Sequence, residues 1–500
     1  MDLLKISTAL DGFFWGKFLV YLCLSAGIWF SIRMRFPQLR LIKDMVGQLF
    51  GGKSSKEGVS SFEGFAMALG GRVGTGNITG VATAIFFGGP GAIFWMWAIA
   101  FLGSGSAYIE SALAQVWKEE IHGEYRGGPA YYMEKGLHSK GLGTAFAILT
   151  ILSCGVLLPG IQSNSFAMAA KASFNIPLVY MAVLYGALIS YVIFGGGKRI
   201  ARTASLVVPF MAIGYVLLSI VILFVHASRI PYVFGLIFSS AFNMNAVYGA
   251  VFGLAVSWGV KRGIFSNEAG QGTGAQAAGA AEVSHPAKQG LVQAFSVYVD
   301  TLFVCTATAI MIISTGSFNT ANPAGGFITE NVPGVVYGNF TQTAVNTVVP
   351  GFGGGFVAVA LFFFTFTTVL AYAFYTDSNV GYLFRHNTGG AGYKITLATS
   401  RVLLVAMVVI GTLSSADVVW NFGSAGVGAM AWFNVMVILL LTKPGIATLR
   451  DYEQQKKMGL DPVFVPERLG IKGAELWDSI VARTYPEQLA ALKEKERTGA

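Results

Sequence analysis

Apolar runs of about twenty residues, separated by short polar and basic stretches, recur along most of the chain. A helix of about that length crosses the hydrocarbon layer of a bilayer. The pattern predicts eleven crossings, centred near residues 23, 75, 104, 157, 186, 214, 268, 302, 364, 405 and 430. The first run, near 13–32, has the length of a spanning helix, and no small-residue cleavage site clearly follows it. Lys261 and Arg262 interrupt the seventh, so residues 243–258 read either as its outer half or as a separate interfacial segment. From Lys443 onward the chain turns polar and mixed in charge, with short helices expected over 451–459 and 474–496. This tail reads first as an aid to insertion or solubility, with regulation as the minority reading.

The polar stretches orient the crossings. With the N-terminus outside, the inward segments are 33–61, 118–142, 196–202, 282–288, 382–394 and 443–500. They hold 26 of the 34 Lys and Arg residues, while the outer loop 316–350 holds none. Basic residues collect on the cytoplasmic side, so the C-terminus is expected in the cytoplasm of a bacterial or archaeal cell, beneath its inner membrane. Composition agrees with a bilayer as the main partner: 54% of residues are hydrophobic and only 12% charged, about half the usual share of a soluble domain. The net charge of +9 therefore reflects topology rather than nucleic-acid binding. Cys23, Cys154 and Cys305 lie in apolar runs and read as small packing residues.

Two crossings carry glycine and polar residues where a continuous helix is expected. The second contains Gly70, Gly71, Arg72, Val73, Gly74, Thr75, Gly76 and Asn77, then Gly80. Each glycine costs about 1 kcal/mol relative to alanine in a helix, and backbone left unpaired in lipid costs more, so a break survives only where it lines a cavity. An opened helix offers N–H groups to a carboxylate and free carbonyls to a cation. The plainer reading is a kinked helix packed through small residues. The seventh crossing repeats the pattern: Gly259, Gly263, Ser266, Asn267, Glu268, Ala269, Gly270, Gln271, Gly272, Thr273 and Gly274. Two such breaks five helices apart point to an inverted repeat. The expected fold is all-α and polytopic: a transmembrane domain over 1–442, with an extra helix at 13–32, repeats over 62–226 and 243–442, and a cytoplasmic tail at 443–500.

Other polar positions inside crossings are weaker signals. Gln162, Ser163, Asn164 and Ser165 form a patch that serves either a ligand or interhelical hydrogen bonds. Thr365, Thr367 and Thr368 either face an ion or bond back to their own helix. Asp300 and Glu110 are intramembrane carboxylates, hence candidates for ion or proton coupling, with pairing to Arg72 as the structural alternative. The five histidines lack metal-binding spacing and the phosphate loop is absent, so neither an enzyme nor a nucleotide-driven motor is indicated.

The runs GRVGTGNITGVATAI (71–85), GGPGAIFWMWAIAFLG (88–103), RGIFSNEAGQG (262–272), HPAKQG (285–290) and DTLFVCTATA (300–309) resemble the alanine or glycine:cation symporters. The resemblance implies sodium-coupled uptake of alanine or glycine, with the proton as the alternative, on a leucine-transporter-like 5+5 inverted repeat whose first and sixth core helices are broken. Thr75 and Gly76 would receive the substrate carboxylate, and Gln162 matches a substrate-contacting glutamine. Ser165 and Phe166 beside it, and Gly270 in the partner break, complete the implied substrate set with Asn77, which would bridge to the ion. Sodium would lie among the backbone oxygens of Gly70 and Val73 and the hydroxyls of Thr367 and Thr368. The family's ninth helix reads S-T-I-L-G-W where this chain has Thr367, Thr368, Val369, Leu370, Ala371 and Tyr372. If Tyr372 lines the pocket, serine or glutamine is harder to exclude. A passive channel and a sensor built on the tail are the rival readings.

Overall fold

The computed structural model describes residues 3–52, 54–242, 244, 246–387 and 389–498. Eight helices among them are long and apolar enough to cross a membrane: Leu3–Arg33, Gly91–Val116, Lys140–Phe174, Gly197–Val225, Pro286–Thr315, Gly353–Leu383, Ala391–Leu413 and Ala416–Leu440. Each contains one of the expected centres. Of the remaining three, residue 186 lies in the shorter apolar helix Leu178–Ile193, and residues 75 and 268 lie in breaks. The protein is thus a mostly helical integral membrane protein.

Two boundaries differ from expectation. The first apolar run is two helices, Leu3–Phe14 and Lys17–Arg33, parted at Trp15–Gly16. The earlier start follows from packing: Trp15 Nε1 donates to Ser424 O at 2.7 Å, Trp432 Nε1 donates to Phe14 O at 2.9 Å, and Asp11 meets Lys261 at 2.6 Å. That ion pair lets Phe252–Asn267 run unbroken through the two basic residues, so 252–258 belongs to the same helix rather than to a separate segment. Asn243, where the second repeat is expected to open, lies outside the described residues. Two of the long helices carry a π-turn, Ser153–Leu157 and Val299–Cys305, a feature that often marks functional sites.

The first broken helix runs Ser61–Arg72, a short 3₁₀ turn Thr75–Asn77, then Thr79–Gly88. Its start is secured by a capping box: Ser60 Oγ accepts from Glu63 N, and Glu63 Oε2 accepts from Ser60 N at 2.7 Å. The second runs Phe252–Asn267 and Thr273–Gly279. The two lie side by side and antiparallel. Val59, before the first, pairs with Ala281, after the second. In the middle, Gly76 abuts Ser266, and Gly88 abuts Ala255.

The polar C-terminal segment folds back onto the bundle. Trp477 is fully buried, with Nε1 donating to Gln115 O at 2.9 Å and its ring edge-on to Phe464. Lys288 pairs with Asp461 at 2.5 Å, and Phe464 N donates to Ser284 O at 2.9 Å. The helices here are Thr442–Lys457, Leu476–Thr484 and Pro486–Thr498; Pro486 divides what the sequence suggests as one helix over 474–496.

Candidate ion and substrate site

Glycines let a neighbouring helix approach the first break. Side chains at i, i+4 and i+7 share a helix face, and Thr368, Tyr372 and Tyr375 of Gly353–Leu383 face this segment together. A Cβ on Gly71 would lie 2.6 Å from Tyr375 Oη, and one on Gly74 would lie 2.7 Å from Thr368 Oγ1 and 2.9 Å from Gln162 Oε1. Thr368 Oγ1 donates to Gly70 O at 2.9 Å, with Val73 O at 3.3 Å and Phe364 O at 2.9 Å. Helix opening thus leaves two carbonyls, Gly70 and Val73, gathered around one hydroxyl. Thr367 lies beside Gly70, but its hydroxyl donates to Phe363 O and Phe364 O of its own helix.

The other side of the break presents N–H groups. Thr75 N donates to Gln162 Oε1 at 3.1 Å, and Gly74 N donates to Asn77 Oδ1 at 2.9 Å. Thr75 Oγ1 is buried without a partner among the described residues. Tyr372 is buried on the helix face that also carries Thr368. Thr75, Gly76, Asn77, Gln162 and Tyr372 are all buried.

A second cluster joins the two breaks. Asp300, in the π-turn, accepts from Asn77 Nδ2 at 2.6 Å, from Ser266 Oγ at 2.9 and 3.0 Å, and from Thr301 Oγ1 at 2.7 Å. Thr308 Oγ1 holds Asn77 O at 2.6 Å. Asp300 is therefore a buried carboxylate surrounded by neutral oxygen and amide groups; Arg72 is not within ion-pair distance of it among the described residues. Arg72 is buried with Nη1 donating to Ser296 Oγ and, at 3.3 Å, to Gln293 O, while Nε and Nη2 have no partner among the described residues.

In the second helix the break is made by Glu268, Gly270 and Gly272, with φ of 55°, 83° and 88°. The left-handed region favours glycine, which is why Gly270 and Gly272 stand there. Glu110 Oε2 accepts from Gly272 N at 3.0 Å and from Asn434 Nδ2 at 2.9 Å, and the same Asn434 Nδ2 reaches Gly270 O at 2.9 Å. Glu110 thus braces the break. Gly259 and Gly263 serve packing instead: Cβ atoms there would collide with Ala92 O and Ile99 Cγ2 of Gly91–Val116.

Of the residues singled out in the sequence, Gly70, Val73, Thr75, Asn77, Gln162, Thr368 and Tyr372 converge on the first break, with Thr367 alongside. Gly76 and Asp300 join it to the second break, where Gly270 and Glu110 lie. Phe166 packs its ring against Tyr185 and Phe362, at centroid distances of 5.2 and 5.4 Å, and Ser165 Oγ is buried without a partner. Sequence reasoning names Ser266 and Glu268 only as parts of the second break, gives neither a role of its own, and passes over Thr301 and Asn434. Only Glu268, a carboxylate inside a glycine-rich break, carried a signal: its Oε2 accepts from Thr273 Oγ1 at 2.8 Å, and a Cβ on Gly71 would lie 3.4 Å from it.

Two membrane helices opened side by side around carbonyl, hydroxyl and amide groups define a carrier that binds a small solute and an ion in mid-membrane. The chain belongs to the sodium:alanine symporter family, whose profile matches residues 1–466. It is 52% identical to YrbD of Bacillus subtilis (strain 168), over 94% of this chain and 96% of that protein. It is 47% identical to the sodium/proton-dependent alanine carrier protein of Bacillus sp. (strain PS3), over 86% of this chain and 96% of that one. It is also 39% identical to GlnT of Bacillus subtilis (strain 168), a protein with a sodium/glutamine symport name, over 93% of this chain and 94% of GlnT.

Proposed function

We propose that the protein carries alanine and similar small neutral amino acids into the cell by alternating access, driven by sodium. The observation that carries this reading is the convergence at one break of the Gly70 and Val73 carbonyls with Thr368 Oγ1, beside the Thr75 N–H and Gln162. A hard cation prefers such oxygens. Sodium takes the place of the Thr368 hydroxyl proton as the positive partner of the two carbonyls, and Thr367 completes the set by turning its hydroxyl. The substrate carboxylate displaces Gln162 Oε1 from Thr75 N and adds the N–H of Gly76. The freed carboxamide, with Ser165, Phe166, Gly270 and Tyr372, encloses the rest of the amino acid. Asp300 couples a cation to this event through Asn77, a proton being the alternative to sodium, and Glu110 holds the partner break.

The finer architecture belongs to the same reading: eleven crossings, an extra N-terminal helix followed by a 5+5 inverted repeat, transport over 1–442, and a cytoplasmic tail from Lys443. The antiparallel pairing of the broken helices supports the repeat, and the basic-residue bias supports an N-terminus outside an inner membrane. The chemistry is transport rather than catalysis. A more polar substrate such as glutamine or serine is favoured by one observation, a buried tyrosine, Tyr372, on the helix face that Thr368 presents to the first break, and by the name of GlnT. Binding of radiolabelled alanine to purified protein in sodium or in choline, competed by glycine, serine and glutamine, tests both readings. Binding only in sodium, displaced by alanine and glycine, supports the first; displacement by glutamine alone moves the assignment to the second. Equal binding in choline would defeat sodium dependence.

A further inference from the structure

A polar concavity of about 230 Å³ opens where the helices Lys17–Arg33 and Thr442–Lys457 meet. Five basic side chains line it, Arg33, Arg35, Arg40, Arg450 and Lys457, against one carboxylate, Glu453. Glu453 is already committed to Arg40 at 2.8 Å, and Arg40 also donates to Arg35 O and Met34 O, at 2.7 and 2.9 Å. Arg33, Arg35, Arg450 and Lys457 have no carboxylate within 4.0 Å among the described residues, although all four are exposed. Topology alone explains why basic residues lie on this face; it does not explain why four uncompensated ones turn into one hollow. Elsewhere on the face Lys135, Lys288, Arg385, Arg468 and Arg483 each meet a carboxylate, while Lys43, Arg202 and Lys443 stand apart from one another without one among the described residues.

The rim has a second character. Trp29, Ile32, Phe36 and Leu39 are exposed, and the Arg33 guanidinium lies 5.1 Å from the Trp29 ring centroid. A Trp beside a basic residue at the end of a spanning helix marks the headgroup level. Anionic charge is thus called for in the hollow, and apolar chains on its membrane side.

We propose that this concavity seats the phosphate-bearing head of an anionic phospholipid of the cytoplasmic leaflet. Arg33, Arg35, Arg450 and Lys457 supply the charge, and the acyl chains run along Ile32 and Leu39. The assignment rests on the membrane orientation proposed above, but its test does not depend on transport.

The test is native mass spectrometry of the full chain in detergent, titrated with phosphatidylglycerol or phosphatidylcholine of identical acyl chains. One basic residue near a membrane surface contributes about a fivefold preference for anionic lipid. The combined change Arg33→Gln, Arg35→Gln and Arg450→Gln should weaken phosphatidylglycerol binding about 100-fold and leave phosphatidylcholine unchanged. Removing three charges elsewhere, by Lys493→Gln, Lys495→Gln and Arg497→Gln, should change neither. Should the triple variant fail to fold, Arg450→Gln alone should cost about fivefold. Wild-type protein that binds the two lipids equally, or basic-site variants that retain phosphatidylglycerol, would overturn the proposal. Glycerol 3-phosphate displacing the lipid at equal concentration would also overturn it, by pointing to a soluble anion.

Discussion

Gly74→Ala places one methyl group where the account puts both ligands. The Cβ would lie 2.7 Å from Thr368 Oγ1 and 2.9 Å from Gln162 Oε1. Both groups must withdraw, since ordinary contact starts near 3.4 Å. Thr368 then loses its hold on Gly70 O and Val73 O, and Gln162 its hold on Thr75 N. The proposed ligands displace those bonds in any case, so the loss comes from overpacking that the bound site cannot relieve, about 1–3 kcal/mol. At about 2 kcal/mol this is about 30-fold in occupancy of the site. Backbone strain adds little, because Gly74 is extended at φ −135°. The assay is sodium-dependent uptake of radiolabelled alanine into proteoliposomes matched for folded protein, with the half-saturating sodium and alanine concentrations both read. Both should rise, or uptake should vanish. Gly80→Ala is the control: its Cβ would meet nothing closer than 3.9 Å, and alanine suits the helix Thr79–Gly88 better than glycine. Wild-type uptake by Gly74→Ala, or equal damage by Gly80→Ala, would refute the reasoning.

Thr368→Val should raise the half-saturating sodium concentration about tenfold or more, as a charged partner loses one ligand; Thr367→Val should do less, and the two sodium titrations compare them directly. Gly263→Ala should lower the yield and thermal stability of folded protein, because its Cβ would collide with Ile99, with half-saturating alanine in the surviving fraction unchanged, as fluorescence-detected gel filtration and uptake would show. Tail docking should weaken on acidification. His285 is buried at the start of the helix that begins at Pro286, where Nδ1 accepts from Ala287 N and Nε2 donates to Asp451 at 3.1 Å. Burial holds its pKa below the ordinary 6.5, so its contribution is full above pH 6.5 and falls as pH drops through the lowered folded value. Limited proteolysis of the tail from pH 8 to 5 should speed up at the acid end, and His285→Gln should flatten that dependence.

Much of this was legible in the sequence, and the gaps have physical causes. Long apolar runs report crossings because lipid demands continuous helix, and Gly70–Asn77 and Glu268–Gly272 stand out because glycine and polar groups defy that demand. Which glycines break a helix and which pack it does not follow from composition: Gly263 and Gly270 look alike until Ile99 is found against one and a positive φ at the other. Thr367 and Thr368 differ only by one residue's rotation about their helix, and a partner nearly 300 positions away decides which hydroxyl meets Gly70. Asp300 has Arg72 as an alternative partner by charge, yet its neighbours are the neutral Asn77, Ser266 and Thr301. Glu268 stands out as part of the break but without a role, because that role depends on a left-handed backbone and on contacts with Thr273 and the Gly71 segment.

Uptake of radiolabelled alanine into proteoliposomes under an inward sodium gradient, a proton gradient or neither tests the central claim most directly. The account predicts accumulation above equilibrium with the sodium gradient and simple equilibration or less without it. Undiminished accumulation in sodium-free medium that collapses with the proton gradient would contradict sodium coupling and leave Asp300 as the proton carrier to test next.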